Sequence, residues 1–223
     1  MAAHLQITVL TYNIHKAIGN DRRFDPERIA RVCENEGADI VALQEVDNGV
    51  PRSGNRNLAA DLGERLGYHH RLGENVQLKV GAYGNATLSR WPFTHGKNID
   101  LTWTIKKKRG CLSDIINTPA GDLLLMNFHL GLSRIERHFQ IKKMLESGIL
   151  SSHKSLPVIL LGDSNERTRY LDIFMNFAGY RNAAGTLKRK IKTWPSFAPI
   201  WNLDKIFHNE KCAIVHYEVV KIG

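Results

Sequence analysis

Apolar and polar positions along the chain fall into alternating strand-like and helix-like blocks. The opening run "LQITVLTY" is rich in β-formers and leads into the polar stretch "NIHKAIGNDRRF", which predicts a strand followed by a loop. A helix is predicted next: Asp25 can cap it, Pro26 can occupy its first turn, Ile29, Val32 and Cys33 share one face, and Gly37 follows its end. "DIVALQEV" is mostly apolar and predicts a strand buried on both faces. Leu58, Leu62 and Leu66 then recur every four residues, with Gly67 as the stop. Between Val76 and His129 the pattern shortens to "GAYGNATLS", "GCLSDIINT" and "DLLLMNFHL", with "PAGD" as a hairpin connection, which predicts antiparallel sheet. A long helix is predicted from Ser133, with Glu136 completing a capping box. "LPVILLGDSNE" reads as a buried strand running into acidic and amide residues, and the alternation in "AIVHYEVVKI" predicts a final strand. No linker or repeat interrupts the series, so residues 1–223 are expected to form one α/β domain.

Composition narrows the class. At 223 residues with 43% hydrophobic and 24% charged residues, the chain can bury a sizeable core and lies far from the disordered class. Its net charge of +9 favours a polyanionic partner, either nucleic acid or a phosphorylated substrate. Cys33, Cys111 and Cys212 are odd in number and widely spaced, which points away from a disulfide framework or a zinc site and towards a reducing compartment. "MAAHLQITVL" lacks the features of a signal peptide, and no stretch approaches eighteen apolar residues. The expectation is a cytoplasmic monomer without a transmembrane segment.

Chemistry concentrates at strand ends. In four places an apolar run gives way to Asn, Asp, Glu or His: Asn13 with His15, Glu45, Asn127 with His129, and Asp163 with Asn165. Singly, these residues have ordinary readings as turn formers, surface charges or a core histidine. Together they supply the hard oxygen donors that Mg²⁺ prefers, with carboxylate and imidazole groups suited to orienting water and stabilising a phosphoryl group.

"TYNIH", "LQEV", "GNATLSRWP", "NFHLGL" and "LLGDSNE", in that order, resemble the successive motifs of the endonuclease/exonuclease/phosphatase family, metal-dependent phosphoesterases related to pancreatic deoxyribonuclease. The match runs from about residue 5 to 207. The resemblance implies a four-layer sandwich: two mixed β-sheets face to face, helices outside, and an active site at one end of the sheets. It makes Glu45 the principal Mg²⁺ ligand, with Mn²⁺ as the substitute ion, and puts Asn13 beside it. His129 is implied to donate to the scissile phosphate, Asp163 to orient or deprotonate water, and Asn165 to hold the phosphate or Asp163. Asn85, Asn127 and Arg137 are expected near the substrate. Ser164 departs from the aromatic residue usual between the Asp and Asn of that motif, which is expected to loosen packing behind Asp163.

A larger departure concerns Asp204. "LDKIF" is similar to the late strand motif in which the family's Asp orients a catalytic His. The Ser-Asp-His motif carrying that His does not follow here; only His208 and His216 come after Asp204, and neither follows an Asp. A shortened gene product, a degenerate member, and substitution by His208 are three explanations, and the first is favoured because the earlier motifs are intact. The domain is therefore expected to be C-terminally incomplete and to lack its last strand, with poor stability and turnover. The alternative is a non-catalytic phosphate- or nucleic-acid-binding pseudoenzyme. The basic runs Lys106–Arg109 and Lys188–Lys192 read as solvated loops, and "TWPSFAPIW" as a cover for the sheet end.

Overall fold

A computed structural model describes residues 5–220. Among these, two mixed sheets are present. The first has four strands in the order β1-β2-β4-β3: β1 (Val9–Asn13), β2 (Ile40–Asn48), β4 (Ala82–Ser89) and β3 (His69–Gln77). The second has six in the order β5-β6-β7-β8-β10-β9: β5 (Phe93–Asp100), β6 (Gly110–Thr118), β7 (Gly121–His129), β8 (Val158–Asp163), β10 (Asp204–His208) and β9 (Arg181–Asn182). Helices α1 (Pro26–Asn35) and α2 (Leu58–Leu66) cover the first sheet, whereas α3 (Arg134–Leu145) and α5 (Tyr170–Phe177) cover the second. The short helices α4 (Ile149–Ser152) and α6 (Ala183–Thr186) complete the set.

Period-two alternation builds three cores from these layers. On β2, Val41 and Leu43 pack outward towards α1 and α2, while Ile40 and Ala42 point between the sheets. On β7 and β8, Leu124, Met126, Phe128, Val158 and Leu160 pack under α3 and α5, and Leu123, Leu125, Ile159 and Leu161 meet the first sheet. The four-layer sandwich is thus realised.

Local expectations mostly hold. Asp25 caps α1 by accepting from Arg28 N at 2.9 Å, and Gly67 ends α2 in the left-handed conformation at φ 68. Two do not. The capping box of α3 is half made: Ser133 accepts from Glu136 N at 3.3 Å, but the Glu136 carboxylate accepts instead from Gln140 Nε2 at 3.1 Å. The run "AIVHYEVVKI" is not a strand over its described residues 213–220; it forms an extended segment outside either sheet, and its last two positions lie outside the described residues. Alternation there signals a half-buried surface, but a strand also needs a paired edge.

Between the sheets, the face that begins with Ile116 continues to Asp114, which is fully buried. Burial pushes its carboxyl up to about 6, although Thr87 and the Arg71 guanidinium, 3.0 Å away, pull it down. An acid with a raised folded value binds more protons folded than unfolded between about pH 4 and 6, so its ionisation removes stability as pH rises through that window. The stability of wild type relative to Asp114→Asn is expected to fall by about 2–3 kcal/mol from pH 4 to pH 6.5, read from urea midpoints.

Candidate active site

The face between the sheets changes character towards one end. Leu123 and Leu125 are followed on the same face of β7 by Asn127 and His129, Ile159 and Leu161 on β8 by Asp163, and Ile206 on β10 by Asp204. Parallel register sets His129 beside Asp163, and antiparallel register sets Asp204 on its other side, so three adjacent strands end in a row of ionisable groups. Gly162 permits the close approach of β7 and β8, because at its φ of 146 a side chain is strained and a Cβ would collide with the Phe128 carbonyl.

Asp163 is the hub. Its Oδ2 accepts from Asn13 Nδ2 at 3.0 Å and lies 3.6 Å from His129 Nε2; its Oδ1 accepts from Asn165 N at 2.9 Å. Asn165, itself left-handed at φ 48, donates its side-chain amide to Leu130 O at 2.9 Å. Arg109 Nη1 stands 3.5 Å from His129 Nδ1; since guanidinium can only donate, Nδ1 accepts and Nε2 carries the proton towards Asp163. Burial first, then the Arg109 charge, lowers the His129 value, against Asp163 and Glu45, which raise it. Burial thus favours the neutral ring, with its proton on Nε2.

Glu45 arrives from the first sheet by a bulge. The β2–β4 register shifts between Leu43 and Val46, and Glu45 sits in that irregularity at φ 58. A left-handed non-glycine backbone is unfavourable by about 1–2 kcal/mol and persists where its surroundings over-determine it. Lys16 donates to Glu45 Oε2, and His15 Nδ1 is 3.6 Å away. Burial acts to raise the Glu45 value, but hydrogen bonds from His15 and Lys16 and the Lys16 charge outweigh it, holding the carboxylate well below its usual range. His15, Lys16 and Ala17 are also left-handed, so backbone strain gathers around this one site.

Other expected residues divide. Asn13, Glu45, His129, Asp163, Asn165 and Asp204 border one cleft of about 2690 Å³, which runs along β1 to the extended segment. Asn127 does not reach it: the side chain is fully buried between the sheets, donating to Leu43 O at 3.0 Å and Ala86 O at 2.9 Å and accepting from Gln44 Nε2 at 2.8 Å. Asn85 donates to Gly110 O and Asn127 O, both at 3.0 Å, and borders a small space of about 10 Å³ beside Glu45, Arg109 and His129. Arg137 borders the cleft, but its guanidinium is engaged with Gly131 O at 3.2 Å, Leu132 O at 2.6 Å and Glu166 Oε1 at 3.8 Å. Ser164 leaves no looseness: its hydroxyl donates to Leu203 O at 2.6 Å and ties the end of β8 to the approach of β10.

Asp204 faces Asp163 without a histidine partner among the described residues. His208 lies four positions along β10, roughly 13 Å away at strand rise, and engages Thr186 Oγ1 at 3.2 Å and Asn209 O at 2.9 Å. His216 pairs with Glu218 at 3.5 Å. Substitution by His208 is therefore not what this geometry provides. Burial and the Asp163 charge push the Asp204 carboxyl well up, against the Thr193 hydroxyl and His15.

Sequence reasoning missed Lys16 and Arg109. Arg109 closes a basic run read as solvated, yet it is buried while Lys106, Lys107 and Lys108 are exposed. Its one sequence signal is its position directly before Gly110 and the apolar start of β6.

Two mixed sheets face to face with helices outside form a deoxyribonuclease I-like fold. The sequence model of the Endonuclease/Exonuclease/phosphatase family matches residues 10–222, and the chain belongs to that family. It is similar to Uncharacterized protein YbhP of Escherichia coli, at 32% identity over 218 residues, covering 89% of this chain and 83% of that protein. Among solved structures it resembles an endonuclease/exonuclease/phosphatase from Beutenbergia cavernae, with a TM-score of 0.73 and 24% identity, covering 92% of this chain and 64% of that one. It also resembles a mannosyl-6-phosphatase from Bacteroides thetaiotaomicron, with a TM-score of 0.69 and 20% identity, covering 92% and 86% of the two chains. These two structural likenesses speak to the fold.

Proposed function

We propose that this chain is a divalent-metal-dependent phosphoester hydrolase, acting on a phosphodiester or phosphomonoester with water as nucleophile. The observation that carries the reading is the convergence of Asn13, His129 and Asn165 on Asp163, next to Glu45. The donor set suits a hard cation. Glu45 is an ionised carboxylate that already draws a side-chain cation, Lys16, onto itself, and Mg²⁺ needs only one or two carboxylates with water completing its shell. Glu45 and the Asn13 amide oxygen would hold Mg²⁺ or Mn²⁺, and the ion, when bound, supplies charge neutralisation at the phosphoryl oxygens. Asp163, fixed on both oxygens, orients the attacking water and accepts its proton. His129 donates from Nε2 to a phosphoryl oxygen, with Arg109 behind it holding the tautomer.

The net charge of +9 favours a second reading, a phosphate- or nucleic-acid-binding protein without turnover. Incubation of the purified chain with bis(p-nitrophenyl) phosphate separates them: Mg²⁺- or Mn²⁺-dependent release of nitrophenolate, abolished by EDTA, supports the hydrolase. Salt-sensitive binding of nucleic acid without cleavage supports the alternative.

Lys16 gives a test that needs no turnover. An incoming cation must displace its ammonium from Glu45, and a partly buried ion pair of this kind is worth on the order of 1 kcal/mol. Lys16→Ala is therefore expected to tighten Mn²⁺ binding by about 5-fold, measured by loss of the free-ion paramagnetic resonance signal. Unchanged or weaker binding would reject Glu45 as the shared seat.

A further inference from the structure

Two groups of exposed apolar side chains stand at the cleft or next to residues that border it. On one side, Leu132 is 76% exposed and borders the cleft, and Ile135, at 61%, follows it into α3. Trp103 stacks on Phe139 of α3 with centroids 5.1 Å apart, bringing the loop that carries Ile105 alongside; Ile105 is 101% exposed. On the other side, the loop between Trp194 and Trp201 carries Phe197, 85% exposed and bordering the same cleft. Soluble surfaces carry single exposed apolar residues routinely, but a set gathered around one opening marks a contact surface.

Exposed cations without an acidic partner gather beside these tips. Lys106, Lys107, Lys108, Arg134, Arg167 and Lys192 are exposed, and none forms an ion pair among the described residues. Lys107, Arg134, Arg167 and Lys192 border the cleft itself. The complementary occupant is polyanionic and has an apolar phase that accepts aliphatic side chains.

Single-stranded nucleic acid satisfies the first condition but not the second. It docks through a succession of open aromatic faces, and here the rim tryptophans are engaged and Phe197 is the one open ring among the described rim residues: Trp194 and Trp201 stack on each other at 5.4 Å, Arg167 lies 4.5 Å from the Trp201 ring, and Trp103 lies on Phe139. The exposed apolar side chains named at this rim are Ile105, Leu132, Ile135 and Phe197, three of them aliphatic and unable to stack on bases. Apolar tips interspersed with Lys and Arg are the pattern of an interfacial contact with anionic lipid.

We infer that the rim of the cleft docks on the surface of an anionic phospholipid bilayer, with Ile105, Leu132 and Phe197 entering the headgroup boundary and the lysines meeting lipid phosphates. The cleft then opens onto the headgroups, and phosphoesters of lipid headgroups become its substrate class; that last step rests on the hydrolase reading above. The docking does not.

The test is co-sedimentation of the full chain, in EDTA, with vesicles of two parts phosphatidylcholine to one part phosphatidylglycerol and with vesicles of phosphatidylcholine alone. Binding is expected to the first, with little to the second, and Ile105→Glu combined with Phe197→Glu is expected to weaken it by at least about 10-fold. In the unaltered chain, vesicles with brominated acyl chains are expected to quench tryptophan emission, since Trp103 and Trp194 lie beside the tips. Absence of binding, absence of quenching, or displacement of the vesicles by a single-stranded oligonucleotide with undiminished oligonucleotide binding in the double variant would overturn the docking. A chain that binds vesicles but never hydrolyses a phosphoester refutes the hydrolase reading alone; one that cleaves a soluble phosphodiester yet ignores vesicles refutes the docking alone.

Discussion

Glu45→Ala is expected to lower metal-dependent hydrolysis of bis(p-nitrophenyl) phosphate by at least about 10²-fold, to the level seen in EDTA. Glu45 is the one carboxylate at the site from the first sheet whose charge is held far below its usual protonation range, so no neighbour replaces its field. The strain at its left-handed backbone adds a second readout. Glycine relieves that conformation and alanine does not, so Glu45→Gly is expected to be more stable than Glu45→Ala by about 1 kcal/mol, with both equally inactive. Equal melting of the two variants would remove strain from the account. Retained activity in either would remove Glu45 from the metal site and, with it, the proposed mechanism.

That strain is also where the sequence stops being legible. The mostly apolar run "DIVALQEV" reads directly as a strand buried on both faces, and Asp25, Gly67 and Ser133 mark helix ends through caps that depend on adjacent residues alone. The site residues were legible as polar groups that interrupt apolar strands, because a buried strand has no local reason to end in Asn, Asp and His. The bulge at Glu45 was not legible: it depends on how β2 meets β4, a pairing of residues about forty positions apart. Arg109 was hidden among lysines for the same reason, since only the tertiary fold brings it behind His129. The alternation of "AIVHYEVV" was legible but insufficient, because a strand is a property of two partners.

Asn127 shows how those two kinds of information combine, and its replacement carries the largest expected loss of stability. Its place on β7, two residues beyond Leu125 and two before His129, sets it on the face between the sheets, with no path to the cleft. Its amide donates to Leu43 O and Ala86 O, paired residues bordering the register shift that creates the Glu45 bulge, while its oxygen accepts from Gln44. Asn127→Ala leaves two buried carbonyls without these donors and opens a hole between the sheets, so unfolding is expected to become easier by about 3–4 kcal/mol. A substrate-contacting amide would behave otherwise: its loss would raise KM and leave the melting temperature unchanged. Because the same bonds fix the bulge, the variant is also expected to bind Mn²⁺ more weakly at temperatures where it is still folded. Asn127→Leu distinguishes the two contributions: by filling the hole while leaving the carbonyls unpaired, it should recover part of the lost stability but none of the lost metal affinity.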